Sequence, residues 1–335
     1  MIGKAIDPEL LPGARNAIRV CLDVQPRERV TVITDRACEE IAASLVHEIE
    51  QVGAAYRLFV LEEIAPRPLA ALPAAIADDL ERSDVSLFAV HVQPDELRSR
   101  MQMTDIVTRR RMRHAHMVNI TRQIMIEGMR ADYRRVDRLS RRVLDLVSGA
   151  REIRATTAAG SALRATFDPA YRWLKTSGLI SPDKWGNLPG GEVLTAPARV
   201  DGVYVVDGVL GDYLCARFGD IQETPLTVTI ENSRAVDARC ARPEIVAAFW
   251  AYVRQHEHSD RVGEFAIGTN VAVRGIIGNI LQDEKLPALH LAFGHPYSEH
   301  TGADWSCPTH LDIVGRHFDI WINDEQIMAD GRFLI

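Results

Sequence analysis

Cysteine is scarce in this chain and poorly placed for crosslinking. The five thiols, Cys21, Cys38, Cys215, Cys240 and Cys307, are scattered, odd in number and never arranged as CxxC. That excludes a disulfide framework or a structural zinc ribbon and leaves buried or half-buried free thiols. Cys307 lies close enough to His310 to line a site, but no activating base accompanies it, so a thiol nucleophile is not expected. No apolar run reaches membrane-spanning length. The opening stretch MIGKAIDPELLPGARN has no charged region followed by an apolar one, so the sequence predicts no signal peptide, no membrane partner and a cytoplasmic protein. A large charge excess is missing too. The net charge of −7 favours solubility and argues against a dedicated nucleic-acid binder. What the chain does have is length and apolar content: 335 residues, 47% of them hydrophobic, enough for a substantial core and for two domains.

The first half alternates short apolar strands with amphipathic helices. Strands are predicted at Arg29–Thr34, Tyr56–Leu61, Val85–Val92 and Met117–Thr121. Between the first two, Asp35 is a natural N-cap, and Glu39 and Glu40 favour the positive end of the helix dipole. Ala37, Ile41, Leu45 and Ile49 recur every fourth residue, and Gly53 ends the helix. This order predicts an α/β domain with a largely parallel sheet over residues 1–150. Beyond Ser148 the pattern changes to short strands and turns, with one helix at about Pro243–Glu257 and a terminal hairpin around Asn323-Asp324. Residues 151–335 are expected to form a β-rich α+β domain.

Arginine is dense between Leu97 and Val147, with Arg109, Arg110, Arg111, Arg113, Arg134, Arg135, Arg141 and Arg142. Such a run is either an anion-binding surface or a set of solvated helix faces paired to neighbours such as Asp132, Asp137 and Asp145. The acidic balance of the whole chain favours solvated faces. His114 with His116, and His256 with His258, read the same way, as cations near helix ends rather than metal pairs.

The tightest chemical signal is Thr309-His310-Leu311-Asp312. On a strand, residues two apart share a face, so this imidazole and carboxylate converge as in many divalent-metal sites. A satisfied surface pair would look the same. His290, inside ALHLAFG, reads alone as a hydrogen-bonded core histidine. Glu192 in NLPGGEVLTAP and Glu264 in VGEFAIGTN read alone as solvated or capping carboxylates. A buried unpaired carboxylate is expensive, however, and metal coordination offsets that cost.

Taken in order, WGNLPGGEVLTAP, GEFAIGTN, IIGNILQDEK, LHLAFGHPY and THLDIV resemble the aminopeptidase T/S family of metallo-aminopeptidases. The resemblance is firmest from Trp185 to Val314, and the first half is similar to that family's α/β domain. It implies two divalent metal ions (zinc, cobalt or manganese) held by Glu192, Glu264, His290, His310 and Asp312. It also implies a catalytic tyrosine, here Tyr297, a short peptide or small amide as substrate, and a homodimer. Glu264 is the expected general base, a role that competes with metal contact, and Glu284 or Asp283 could hold the substrate amine. The stretch from Tyr297 to His310 is compact, so loops around the substrate are expected to differ. The chain is also similar to the 2,5-dihydroxypyridine dioxygenase group, in which two histidines and an aspartate hold one iron(II). Glu192 and Glu264 separate the readings, since a ring-cleaving iron site has no use for two further carboxylates.

Overall fold

The computed structural model describes residues 6–93 and 95–335. The chain divides into two compact units. One comprises residues up to Arg134 together with Gly178–Gly190, the other Arg135–Ser177 together with Gly191–Ile335. Set beside a single division near residue 150, most of the helix Tyr133–Ser148 goes with the second unit and Gly178–Gly190 returns to the first. The returning segment supplies a short strand, Gly186–Asn187, that adds to the first unit's sheet, a long-range pairing with no local signature.

In the first unit, β1 (Arg29–Thr34), β2 (Ala55–Val60), β3 (Val85–Val90) and β4 (Arg113–Val118) form a sheet in the order β2-β1-β3-β4. Every neighbouring pair is parallel, as the βαβ alternation predicts. Central strands of such sheets are covered on both faces, and β3 is buried at every position. The helix Glu39–Val52 shows its sequence signals in place. The Asp35 carboxylate accepts from the Cys38 amide at 2.9 Å, Glu39 and Glu40 occupy the first turn, and Gly53 closes the helix at φ 82°. Ile41, Leu45 and Ile49 are buried, while Ala37 stays exposed in the preceding 3-10 turn.

Two readings of the first half need correction. The fourth strand begins at Arg113 rather than Met117, and His114 and His116 lie on it as buried residues, not as cations at a helix end. Strand alternation sends both rings to one face, where they meet Trp185, and His114 shares a 2.8 Å hydrogen bond with Ser86. Burial lowers the His114 pKa from 6.5 to about 3 and holds His116 well below its usual value. Four of the eight arginines pair with carboxylates, three of them with partners distant in sequence: Arg109 with Glu81, Arg111 with Asp183, Arg113 with Glu28. In the second unit Arg141 pairs with Asp137 one helical turn away at 2.7 Å.

The second unit is antiparallel. One sheet has eight strands, among them Glu152–Thr156 paired with Ala162–Thr166, and the hairpin Asp319–Ile322 with Glu325–Ala329 that turns at Asn323-Asp324. The other sheet has five: β5 (Leu174–Thr176), β6 (Glu192–Thr195), β7 (Val262–Gly268), β8 (Leu289–Gly294) and β9 (His310–Val314), in the order β9-β8-β7-β6-β5. One face of this five-stranded sheet carries Val193, Phe265, Ile267, Leu289, Leu291, Phe293, Leu311 and Ile313. These join Tyr204, Phe249 and Phe318 in a single core cluster. Among the described residues, no helix is long and apolar enough to cross a membrane.

Candidate metal centre

The opposite face of that sheet is polar, and strand parity fixes which residues reach it. On β8, His290, Ala292 and Gly294 alternate with the core residues Leu289, Leu291 and Phe293. Their cross-strand partners share the face: Ala266 opposite His290, Glu264 and Asp312 on either side of Ala292, and His310 opposite Gly294. Glu192 lies opposite Gly268, and Thr176 opposite Glu192. The residues between the functional groups are therefore Ala or Gly, and their smallness leaves room for the long side chains to converge.

Two glycines set the approach of β6. Gly191, immediately before Glu192, sits at φ +131°, and a Cβ there would come within 2.7 Å of Asn270. At Gly268 an added Cβ would lie 1.9 Å from the Leu286 carbonyl oxygen. These contacts bring Glu192 beside the segment that contains Glu284 and Lys285.

All five ligands named from the sequence are brought together. His290 Nε2 lies 3.5 Å from Glu264 Oε1 and 3.7 Å from Glu192 Oε2. His310 Nε2 lies 3.3 Å from Asp312 Oδ1 and 3.6 Å from Glu264 Oε2. Ligand atoms of Glu264, His290 and Asp312 fall within 4.8 Å of one another, and so do those of Glu192, Glu284 and His290. His290 is thus common to two overlapping groups. His310 donates Nδ1–H to the His295 carbonyl at 3.3 Å, which fixes its tautomer and leaves Nε2 facing the carboxylates.

Sequence reasoning missed Lys285 and Thr176. Lys285 is 1% exposed and donates to Glu192 Oε1 at 2.7 Å and to Glu284 at 2.5 Å. The Thr176 hydroxyl donates to the same Glu192 oxygen at 2.7 Å. Both hydrogen bonds fall on Oε1, so Oε2 is the oxygen that faces His290. No local pattern marks Lys285, because a lysine after Asp-Glu reads as a solvated charge. Of the two carboxylates considered for a substrate amine, Asp283 accepts from the Ile277 and Asn279 amides at 2.9 and 2.8 Å, so it holds a turn. Glu284 reaches the cluster.

Electrostatics in the cluster favour added positive charge. Burial alone would strip His310 of its proton, but Asp312 and Glu264 raise its pKa to about 10. His290 is raised against burial in the same way by Glu264 and Glu192. Glu192 is held ionised against its burial by Lys285 and His290, while burial raises the Glu284 carboxyl to about 8. Tyr297 is pushed well above 10 by desolvation and by Glu264, Asp312, Glu284 and Glu192, so its hydroxyl keeps its proton. Its ring sits 5.1 Å from that of His310 and 5.2 Å from that of His295. His295 accepts the Tyr297 amide at 3.0 Å, and Tyr297 itself adopts a left-handed φ of 50°. His300 is exposed.

The donor set fits a hard or borderline divalent cation: carboxylate oxygens with two imidazole nitrogens. His290 Nε2 tests the fit. It is buried without a hydrogen-bond partner, at the point where two carboxylates face it beyond hydrogen-bond length. Burying an ionised carboxylate costs several kcal/mol, against about 1.5–3 kcal/mol contributed by one buried Leu or Phe. Without a cation, the carboxylates hold His290 and His310 in their proton-bearing forms, a charge that a divalent ion would replace.

A family model described as thermophilic metalloprotease (M29) matches residues 116–331. Two solved structures share the fold. The 2,5-dihydroxypyridine dioxygenase from Pseudomonas putida KT2440 is 16% identical, with a TM-score of 0.70 over 98% of this chain and 98% of that one. Wild-type AmpT from Thermus thermophilus is 17% identical, with a TM-score of 0.70 over 98% of this chain and 99% of that one. No curated protein matches the sequence.

Proposed function

From the premise that this chain belongs to the thermophilic metalloprotease (M29) family and is a metallopeptidase, we propose that it removes the N-terminal residue from short peptides or a closely related small amide. We further propose that Glu192, Glu264, His290, His310 and Asp312, with Glu284 beside them, hold two divalent ions, drawn from zinc, cobalt or manganese. The observation that carries this reading is the buried, unpartnered Nε2 of His290 at the junction of the two ligand groups. Cations bound there would supply Lewis acidity and lower the pKa of water toward neutrality.

The chain's own residues then have distinct tasks. Glu264, between the two imidazoles, accepts the proton of the attacking water. Tyr297 stays protonated among carboxylates and donates a hydrogen bond to the oxyanion that develops on the scissile carbonyl. Glu284, which accepts from Lys285, lies beside Glu192 and His290, where it would complete the ligand set. Lys285 and Thr176 hold Glu192 in one orientation through Oε1.

The dioxygenase reading has one feature in its favour: His290, His310 and Asp312 alone would satisfy a two-histidine, one-carboxylate iron(II) site. Against it, Glu192, Glu264 and Glu284 crowd the same space. Elemental analysis separates the two. The expected result is about two ions per chain and release of an aniline from an aminoacyl-anilide. One iron per chain, with oxygen consumed on adding a dihydroxypyridine, would overturn the proposal. Glu264→Gln should keep the wild-type circular dichroism spectrum and lose about 10²–10⁴-fold in kcat. Full turnover in that variant would remove Glu264 from the reaction.

A further inference from the structure

The arginines of the helix Tyr133–Ser148 are not all explained by solvated faces. Arg135, Arg138 and Arg142 follow one another at helical spacing, so they project from one side of the helix. They line a cavity of about 760 Å³ that lies wholly within the second unit, together with Arg274, Arg316 and Arg332. None of the metal-centre residues lines it. Six arginines from four separate segments thus line one cavity in a chain whose net charge is −7.

Like charges at helical spacing repel, and gathering further ones from other segments adds to the cost. Arg135 and Arg274 have partners of their own, but the lining side chains offer the others little negative charge. Its one carboxylate side chain, Asp330, is already paired with His317 at 3.0 Å. Arg316 is bound to Asp220 at 2.6 Å and is only 9% exposed, so its guanidinium is held in place, and its Nη1 is buried without a hydrogen-bond partner. Arg138, Arg142 and Arg332 make no ion pair with a carboxylate among the described residues. The wall is tightly built. Gly331, at φ +70°, packs against His317 and close to the Pro287 carbonyl, where a Cβ would stand 3.1 Å from the oxygen. Apolar side chains, Leu139, Val273, Leu286 and Phe333, complete the lining.

We infer that this cavity is a binding site for a small organic polyanion, a molecule bearing two or more phosphate or carboxylate groups on a compact apolar or sugar frame. The volume lies inside the roughly 300–1,000 Å³ range of small-molecule sites. Planar guanidinium groups bind phosphate and carboxylate oxygens in bidentate fashion, and several of them select multiply charged ligands over single ones. A long nucleic acid is disfavoured by the acidic balance of the rest of the chain. The inference does not depend on the hydrolytic reading, and its test does not measure hydrolysis.

Isothermal titration of the full, metal-loaded chain tests it with three weakly chelating probes: fructose 1,6-bisphosphate, tricarballylate and a short single-stranded oligonucleotide. Saturable binding of the bisphosphate or the tricarboxylate, weakening as salt is raised, is expected, and the stronger of the two identifies the anionic group. The double variant Arg138→Glu/Arg142→Glu should weaken that binding at least about tenfold. Arg141→Gln, on the same helix but paired with Asp137, should leave it unchanged. Both positions of the double variant are exposed, and an unchanged melting temperature will show that the fold survives. Absence of saturable binding by either small probe, equal binding in the double variant, or binding by the oligonucleotide alone would overturn the inference.

Discussion

Replacing Lys285 by methionine would leave Glu192 and Glu284 facing each other with no cation between them. Lys285 is 1% exposed, and both partners are largely buried, so Glu192 would lose its lysine with little solvent to compensate. Removing one partner of a buried ion pair costs about 3–5 kcal/mol. Lys285→Met should therefore lose about that much stability when metal-free, and recover part of it when zinc, cobalt or manganese is added. Urea unfolding of chelator-treated and metal-loaded protein measures both. A loss under about 1 kcal/mol without metal would show that the carboxylates do not need this charge. At this scale the sequence was informative where chemistry repeats with the strand period, as in His310-x-Asp312. It was silent on Lys285, whose neighbours Asp283 and Glu284 suggest a solvated turn. What makes Lys285 special is Glu192, far off in the chain.

Among the elements, β4 carries a pH dependence. His114 and His116 stay neutral in the fold, with the His114 pKa lowered from 6.5 to about 3. At pH above about 6.5 both states are neutral and nothing is lost. Below it the unfolded chain takes up protons that the folded chain refuses. Stability then falls with pH until the folded values are reached, by at most about 1.4 kcal/mol per pH unit for each histidine. Denaturant unfolding at a series of pH values below 7 should show this loss, with a shallower slope in His114→Asn. An identical slope in that variant would mean that other groups carry the acid sensitivity. The position of β4 also shows where local reading stops. The run Arg113-His114-Ala115-His116 looks polar and exposed, yet in the parallel pairing of β3 and β4 both histidines are buried. By contrast β1, the capped helix after it and the terminal hairpin were legible, because Asp35, Gly53 and Asn323-Asp324 act on their immediate neighbours.

For the molecule as a whole, the two units have separate cores: one cluster holds Ile33, Phe59, Phe88 and Val107, the other Phe265, Leu291 and Phe293. The metal centre belongs to the second unit alone. A cation that binds only the folded state stabilises it by mass action, about 4 kcal/mol at a thousand times its Kd. Chelation should therefore speed amide exchange in β6 to β9 and leave β1 to β4 unchanged. Hydrogen exchange with mass spectrometry reads this directly, and equal acceleration in both sets would contradict it.

By itself the sequence determined the alternation of strands and helices and the two kinds of sheet, because caps and periodicity are local, while the five clustered side chains were named only through the resemblance that the ordered motifs carry. Only the tertiary structure decided that Glu284, Lys285 and Thr176 belong to the same cluster. It alone gathered arginines from four segments around one cavity. Both outcomes depend on register between strands and on close glycine contacts, such as Gly268 against Leu286, which join residues that no local pattern connects.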